Sequence, residues 1–447
     1  MAHLQQMAPH SFMAVLLRCC DRRFRTGDVF TLAALITLAP LFFTNDYWLA
    51  PRLLKWMFFP AAVLLLCMSG GVGMNRTRTS FEIEVRIAAR IFVVISTILV
   101  ATFVYLLAMN LSTWQQPGVV LRAVDQQWVF AGQILLFMLA FAFAVRAWPE
   151  FLPRFITAFS TMVAASALYN IVIHLSGINL AVMNLSGAAF VSEIPALRLI
   201  NSLGMPGYTN STNISITYAV LFVASVAVIV DVRLPRLMRY WLMPVALILL
   251  CGVVLTQARS AYASIIVGSM IVLWTAPHAF RRAALISFGA GIALGGLVLM
   301  VLPHTRAMME ARGTSYRPEI WMTYAGNGLK KPLLGYGALS NIDITLKNGA
   351  VIDQPHNLIL SAQIRGGIFC ALAMITMLAG SFYWSVRFLR LRGEVLPLAM
   401  IATVATAGMF DYNLLITAVT WPWVTFWLPF AICAGAEIVV KQCSQPA

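Results

Sequence analysis

Apolar residues come in long runs along this chain, separated by short polar connections. The runs fall near 28–44, 51–69, 90–110, 127–147, 155–176, 211–231, 241–257, 260–277, 283–302, 356–380, 395–413 and 419–440. Most approach the roughly 20 residues that carry a helix across a bilayer, and the first and seventh are short. The pattern predicts an all-α polytopic integral membrane protein with about twelve transmembrane helices.

Composition supports lipid as the solvent. Of the 447 residues, 60% are hydrophobic and 11% charged, with a mean hydropathy of +0.83. Soluble domains carry roughly 25% charge, so a soluble core of this size would lack its polar shell. The net charge of +15 would suggest nucleic acid in a soluble protein. Here no basic run is interleaved with aromatics, and the arginines mark loops instead.

The charges also set the orientation. With both ends cytoplasmic, the cytoplasmic segments hold Arg18, Arg22, Arg23 and Arg25; Arg76, Arg78, Arg86 and Arg90; Arg146 and Arg154; Arg233, Arg236 and Arg239; Arg281 and Arg282; Arg387, Arg390 and Arg392; and Lys441. That is 19 of the 31 basic residues, the positive-inside asymmetry. The expected organisation is a cytoplasmic segment 1–27, spans one to nine over 28–302, a large periplasmic loop 303–355, spans ten to twelve over 356–440, and a cytoplasmic tail 441–447. The N-terminus reads as lacking a cleavable signal, since the apolar stretch Phe12 to Leu17 is too short for an h-region. The seven cysteines fall in spans or near cytoplasmic ends, which implies no disulfide framework and no CxxC metal pair.

Two external loops, 177–210 and 303–355, keep basic residues against this trend. The larger holds Arg306, Arg312, Arg317, Lys330, Lys331 and Lys347. Pro318 suits the first turn of a helix over 318–329, which Gly326, Gly328 and Pro332 weaken or end. Leu334-Gly335-Tyr336-Gly337 reads as a turn. Tyr316, Trp321, Tyr324 and Tyr336 suit a membrane interface.

The candidate chemistry lies on this face. His356 is placed in the first turn of the tenth span, behind Pro355, where the helix dipole favours a neutral, proton-accepting imidazole; a histidine that only hydrogen-bonds fits the position equally well. Arg198, Arg259 and Arg317, with Arg312 nearby, sit in or beside tight external turns. Guanidinium is costly there unless it meets an anion, and it suits a pyrophosphate; snorkelling to lipid headgroups is the alternative and is favoured for Arg306 and Arg52. Asp411, near the external end of the eleventh span, could orient His356 or be an ordinary boundary carboxylate. No two external carboxylates are close in sequence, and Glu82 and Glu84 lie on the cytoplasmic side, so the sequence leans against a divalent metal.

Several of these pieces together resemble the O-antigen ligase and polymerase superfamily of bacterial envelopes. They are Arg198 ahead of the Gly204-Met205-Pro206-Gly207 turn, Arg259 within Thr256 to Ser260, and Tyr316-Arg317 with Trp321. Pro332 with Gly335 and Gly337 follows, then His356-Asn357 with Gly367 after nine residues. Cys370 stands where the ligase pattern has a small residue or tyrosine. The resemblance implies a GT-C-like glycosyltransferase of the inner membrane with no cofactor. Its donor would be an undecaprenyl-pyrophosphate-linked glycan and its acceptor lipid A-core. Arg198, Arg259, Arg312 and Arg317 would bind the pyrophosphate, Asn357 would join the substrate site, and His356, with Asp411, would serve catalysis. An O-antigen polymerase or a protein O-oligosaccharyltransferase would share the site and differ in acceptor. A lipid-linked glycan transporter is the competitor from another class, and its sequence marker is Arg365, inside the tenth span.

Overall fold

The computed structural model describes residues 22–44, 49–63, 96–114, 121–148, 150–175, 211–256, 258–276, 316–340, 342–347, 349, 351–412 and 415–444. Within these it is a bundle of long helices: α1 (Arg22–Leu38), α2 (Thr97–Trp114), α3 (Leu121–Ala147), α4 (Phe151–Leu175), α5 (Ser211–Val230), α6 (Arg236–Thr256), α7 (Arg259–Thr275), α8 (Arg317–Lys330), α9 (Leu358–Arg392), α10 (Leu396–Asp411) and α11 (Leu428–Cys443). Short helical pieces over Pro40–Phe43 and Leu49–Phe58 follow α1, and a π-helical turn, Trp423–Trp427, leads into α11. Strands β1 (Ile344–Thr345) and β2 (Val351–Ile352) form one small antiparallel hairpin.

Six helical segments are long and apolar enough to cross a membrane, and four further apolar helices are shorter. The chain is therefore an all-α, multi-pass membrane protein. The expected run 283–302 lies outside the described residues, as do 64–69 of the run 51–69 and 90–95 of the run 90–110.

Long connections between α5, α6 and α7 are unnecessary because the helices run antiparallel. Thr256, at the end of α6, meets Ser215, near the start of α5, with 2.7 Å between hydroxyls. Gly268 of α7 lets that helix close on Thr403 of α10 and Val223 of α5, the small-residue contact that helices in lipid favour. Helix α2 is antiparallel to α9. Ile98 packs beside Gly380, and Ser112 meets the Arg365 carbonyl at 2.7 Å.

The segment from Trp423 to Val440 is buried at every position, as expected of a helix apolar on all sides. Its one acid, Glu437, is fully enclosed. The carboxylate accepts hydrogen bonds from the Ser96 hydroxyl (2.5 Å), the Thr97 N–H (2.6 Å) and the Ile98 N–H (3.2 Å). It thus caps the start of α2, where the helix dipole favours negative charge. Lys441 completes the group at 2.7 Å. Replacing Glu437 by alanine removes the acceptor shared by the three donors and the carboxylate that pairs with Lys441. Such a loss costs about 3–5 kcal/mol. The expected result is a clearly lower melting temperature in detergent, which Glu437→Gln reduces less, because the amide oxygen can still accept.

At the same end of the bundle, Arg233 binds Asp231 through Nε (2.7 Å) and Nη2 (2.5 Å). It also donates to the carbonyls of Arg392 and Gly393. The α5–α6 turn is thereby tied to the end of α9, and the opposite end of the bundle is left to the candidate site.

Candidate functional site

Helix α8 begins as its sequence suggests, with Arg317-Pro318 in the first turn, but it runs through both Gly326 and Gly328 to Lys330. The reason is tertiary. A Cβ on Gly328 would lie 3.2 Å from Gln363 Cγ on α9, so the small residue sets the packing distance. The buried Tyr324 hydroxyl sits 2.7 Å from the Ile342 carbonyl and 3.1 Å from that of Ile352. It ties α8 to the hairpin. Ile320, Tyr324, Ile344, Leu346 and Ile364 close a small core of their own beside the bundle.

Helix α9 is broken. Gly367 has φ 69° and ψ −165°, a conformation closed to side-chain-bearing residues. The segment 332–337 lies in the break and supplies the bonds that the helix gives up there. Tyr336 N–H donates to Ile364 O (2.7 Å), Gly337 N–H to Arg365 O (2.8 Å), and Ile368 N–H to Pro332 O (2.8 Å). The crossing needs glycine on both sides. A Cβ on Gly335 would sit 2.6 Å from Ile364 O, and one on Gly367 would sit 2.1 Å from Leu333 O. The Arg365 guanidinium donates to the carbonyls of Ala338 and Ser340. This buried charge is engaged in holding the loop. Gly367→Ala is expected to lower thermal stability clearly, read as the melting temperature in detergent, because its Cβ meets the Leu333 carbonyl.

The upper piece of α9 follows directly on the candidate base. Asn357 is its N-cap: its side-chain oxygen accepts from the N–H groups of Ile359 and Leu360, both at 3.1 Å. Its amide nitrogen donates to Met409 O at 3.2 Å. His356 therefore lies just outside the helix rather than in its first turn. It has φ 49°, left-handed backbone that histidine tolerates better than most residues. The correction follows from the cap, since an asparagine that takes the N-cap position excludes the residue before it from the helix.

Asp411 ends α10. The next residue, Tyr412, is buried and donates its hydroxyl to Thr425 O at 2.8 Å, which fixes the helix end. Asp411 pairs with Arg317 at 3.1 Å, both largely shielded from solvent. Arg317 also lies over the Phe410 ring, 5.4 Å from its centroid, and Trp321 sits beside the same ring at 6.2 Å. The Trp321 indole N–H is buried and meets no acceptor among the described residues. Burial holds the His356 imidazole below the ordinary histidine pKa. The charge of Asp411 pulls it up, Arg317 pushes it down, and Asp353 pulls it up again. The ring is neutral near neutral pH and can accept a proton. Burial does here what the helix dipole was expected to do.

The site therefore brings together Arg317, His356, Asn357 and Asp411 from three elements. Arg259 is the first residue of α7. Gly268 is level with Thr403; nine residues back on α7 and eight forward on the antiparallel α10 put Arg259 and Asp411 at the same end of the bundle. Arg198 and Arg312 lie outside the described residues. Sequence reasoning did not find Phe410 as a seat for the arginine, or Asp353 as a charge on the histidine. The spacing of Arg317 and Trp321, four residues apart and so on one helix face, was the available signal. The guanidinium and the orphaned indole N–H suit a ligand with phosphate and hydroxyl groups.

Residues 244–375 match the family model described as O-antigen ligase. The stretch holds Arg259, Arg312, Arg317, His356, Asn357 and Gly367, and it excludes Arg198 and Asp411. An O-antigen ligase of Pseudomonas aeruginosa is 27% identical over 161 residues, which is 36% of this chain and 39% of that protein. The match thus spans less than half of the relative's length.

Proposed function

We propose that this member of the O-antigen ligase family, its family domain carried by residues 244–375, transfers a glycan from undecaprenyl pyrophosphate to lipid A-core. The acceptor hydroxyl oxygen bonds to the anomeric carbon of the donor sugar. The bond from that carbon to the pyrophosphate oxygen breaks, and undecaprenyl pyrophosphate leaves with the electron pair. One displacement inverts the anomeric centre. His356 takes the acceptor proton. Arg317 and Arg259 stabilise the charge that grows on the pyrophosphate, with Arg198 and Arg312 as further cationic partners. Asp411 holds Arg317 and tunes His356. Asn357, whose amide is spent on the cap and on Met409, acts as a positioning residue. The Trp321 indole N–H is available to a sugar or phosphate oxygen. The reaction uses no metal, because pyrophosphate is already a good leaving group and arginines supply the counter-charge.

In this reading the protein is a twelve-span, GT-C-like enzyme of the bacterial inner membrane, and its site faces the periplasm. The charge asymmetry of the loops supports that orientation: His356 lies at the end of the bundle away from Arg233 and Arg392. The observation that carries the reaction is the grouping of a shielded Arg317–Asp411 pair with a neutral, half-buried histidine.

The test is transfer by the purified full chain in vesicles, with lipid-linked O-antigen, lipid A-core and a chelator. Glycan on lipid A-core is the expected product. A lengthened lipid-linked glycan makes the enzyme a polymerase instead. Movement of the donor across the vesicle with no new glycosidic bond makes it a transporter. No reaction from folded protein overturns the proposal.

A further inference from the structure

Helix α8 has three sides. At roughly 100° per residue, Ile320, Tyr324 and Gly328 turn toward the small core and α9, and all three are buried. Glu319, Thr323 and Lys330 form a polar strip, and there the Glu319 carboxylate accepts from the Lys347 N–H at 3.0 Å. The third strip is Pro318, Met322, Ala325, Gly326 and Leu329. It is apolar, and every one of its residues is exposed. Met322 is 70% and Leu329 76% exposed, and Leu333, just beyond the helix, is 63% exposed.

The position of this strip along the bundle identifies what covers it. Gly328 packs at the level of Gln363 and Ile364, and the Leu333 carbonyl packs against Gly367. The next residues down α9, Ile368, Phe369 and Leu372, are exposed apolar groups on a membrane-crossing helix. The outer strip of α8 therefore continues the lipid-facing surface of α9 at its upper margin. Lys330 and Lys331 stand at the same margin. Both are exposed, although Lys330 also meets Asn327 Oδ1 at 2.9 Å and Lys331 lies over the Tyr336 ring.

We infer that the Pro318–Met322–Leu329 strip of α8, with Leu333, is a lipid-docking surface. It lies in the headgroup–acyl boundary of the leaflet on the His356 side, with Lys330 and Lys331 on anionic headgroups. An apolar strip flanked by lysines and backed by a polar strip is the pattern of a helix that lies in the interface plane. One consequence concerns Arg317, the first residue of α8. It is held at headgroup depth, so an anionic lipid-linked ligand reaches it by diffusion within the leaflet rather than from bulk water. The docking surface itself rests only on the membrane character of the chain, and it stands or falls separately from the transfer reaction.

The test places a photoreactive amino acid at Met322, Leu329 or Thr323 of the full chain. All three positions are exposed, so the substitutions leave the fold in place. The protein is reconstituted in vesicles of phosphatidylethanolamine and phosphatidylglycerol and illuminated. Lipid adducts several-fold more abundant at 322 and 329 than at 323 are expected. Equal yields at the three positions, or adducts to a second copy of the chain in place of lipid, overturn the inference. Joint Lys330→Glu and Lys331→Glu substitution is expected to shift the adducts from phosphatidylglycerol toward phosphatidylethanolamine. An unchanged headgroup ratio removes the lysines from the surface.

Discussion

His356→Asn is expected to lower glycan transfer by about 10²–10⁴-fold, the usual worth of a positioned general base. Asparagine is the informative substitution because it also accepts left-handed backbone. The φ of 49° at this position would strain alanine and mix a folding defect into the result. Protein level and melting temperature should stay near those of the unsubstituted chain. The pH profile supplies the second readout. Transfer in the unsubstituted chain is expected to fall on the acid side as the imidazole protonates. Because burial lowers the pKa of the ring, that limb lies below the pH at which an ordinary histidine titrates. In His356→Asn the residual rate should lose this limb. A variant with full rate, or one with the acid limb intact, would remove His356 from the proton transfer.

Opposite displacements of the same limb are expected from the two halves of the Arg317–Asp411 pair. Asp411 raises the pKa of His356 and Arg317 lowers it. In Asp411→Asn the raising charge disappears and the Arg317 charge is no longer offset at 3.1 Å. Both changes act downward, and the acid limb moves to lower pH. In Arg317→Ala the lowering charge is gone and the Asp411 charge is released. Both changes act upward, and the limb moves toward neutral pH. The rates differ as well. Arg317→Ala should lose about 10²–10³-fold in turnover, the range for removing one donor to a developing anion. Arg317→Lys should recover part of it, since charge survives and the bidentate fork does not. Limbs that move in the same direction in the two variants would mean that the pair does not act on His356. This pattern also separates tuning from simple loss of packing, which would change rates without opposed shifts.

The spans were readable wherever hydropathy alone decides. Helices α5, α6 and α7 begin and end close to the apolar runs 211–231, 241–257 and 260–277, because a helix in lipid must satisfy its own backbone. Hydropathy failed at the end of α9, which continues to Arg392, twelve residues past the run ending at 380. Hydrogen bonding continued there after apolar character stopped. The break at Gly367 was not readable, although Gly335, Gly337 and Gly367 were each visible. A glycine inside a span is ordinary, and only the bonds offered by Pro332, Tyr336 and Gly337 make this one a break. The start of α9 was open to better reading, since an asparagine ahead of Leu-Ile-Leu is an N-cap signal. The candidate site was legible as a set of residue types on one face. Its central contact joins residues 94 apart, and no local pattern encodes such a pairing.

The interruption of α9 separates anchoring from aiming. From Ile368 to Arg392 the lower piece is long enough, at about 1.5 Å per residue, to cross the hydrocarbon core without help. The upper piece, Leu358 to Gly366, is free of that duty. Its tilt is set by what grips its two ends, the Asn357–Met409 bond above and the 332–337 segment below. Substitutions in the outer loop can therefore re-aim His356 over a new acceptor while the transmembrane anchor stays as it is. Under the proposed transfer reaction, acceptor preference is expected to diverge through the loop and leave the spans untouched.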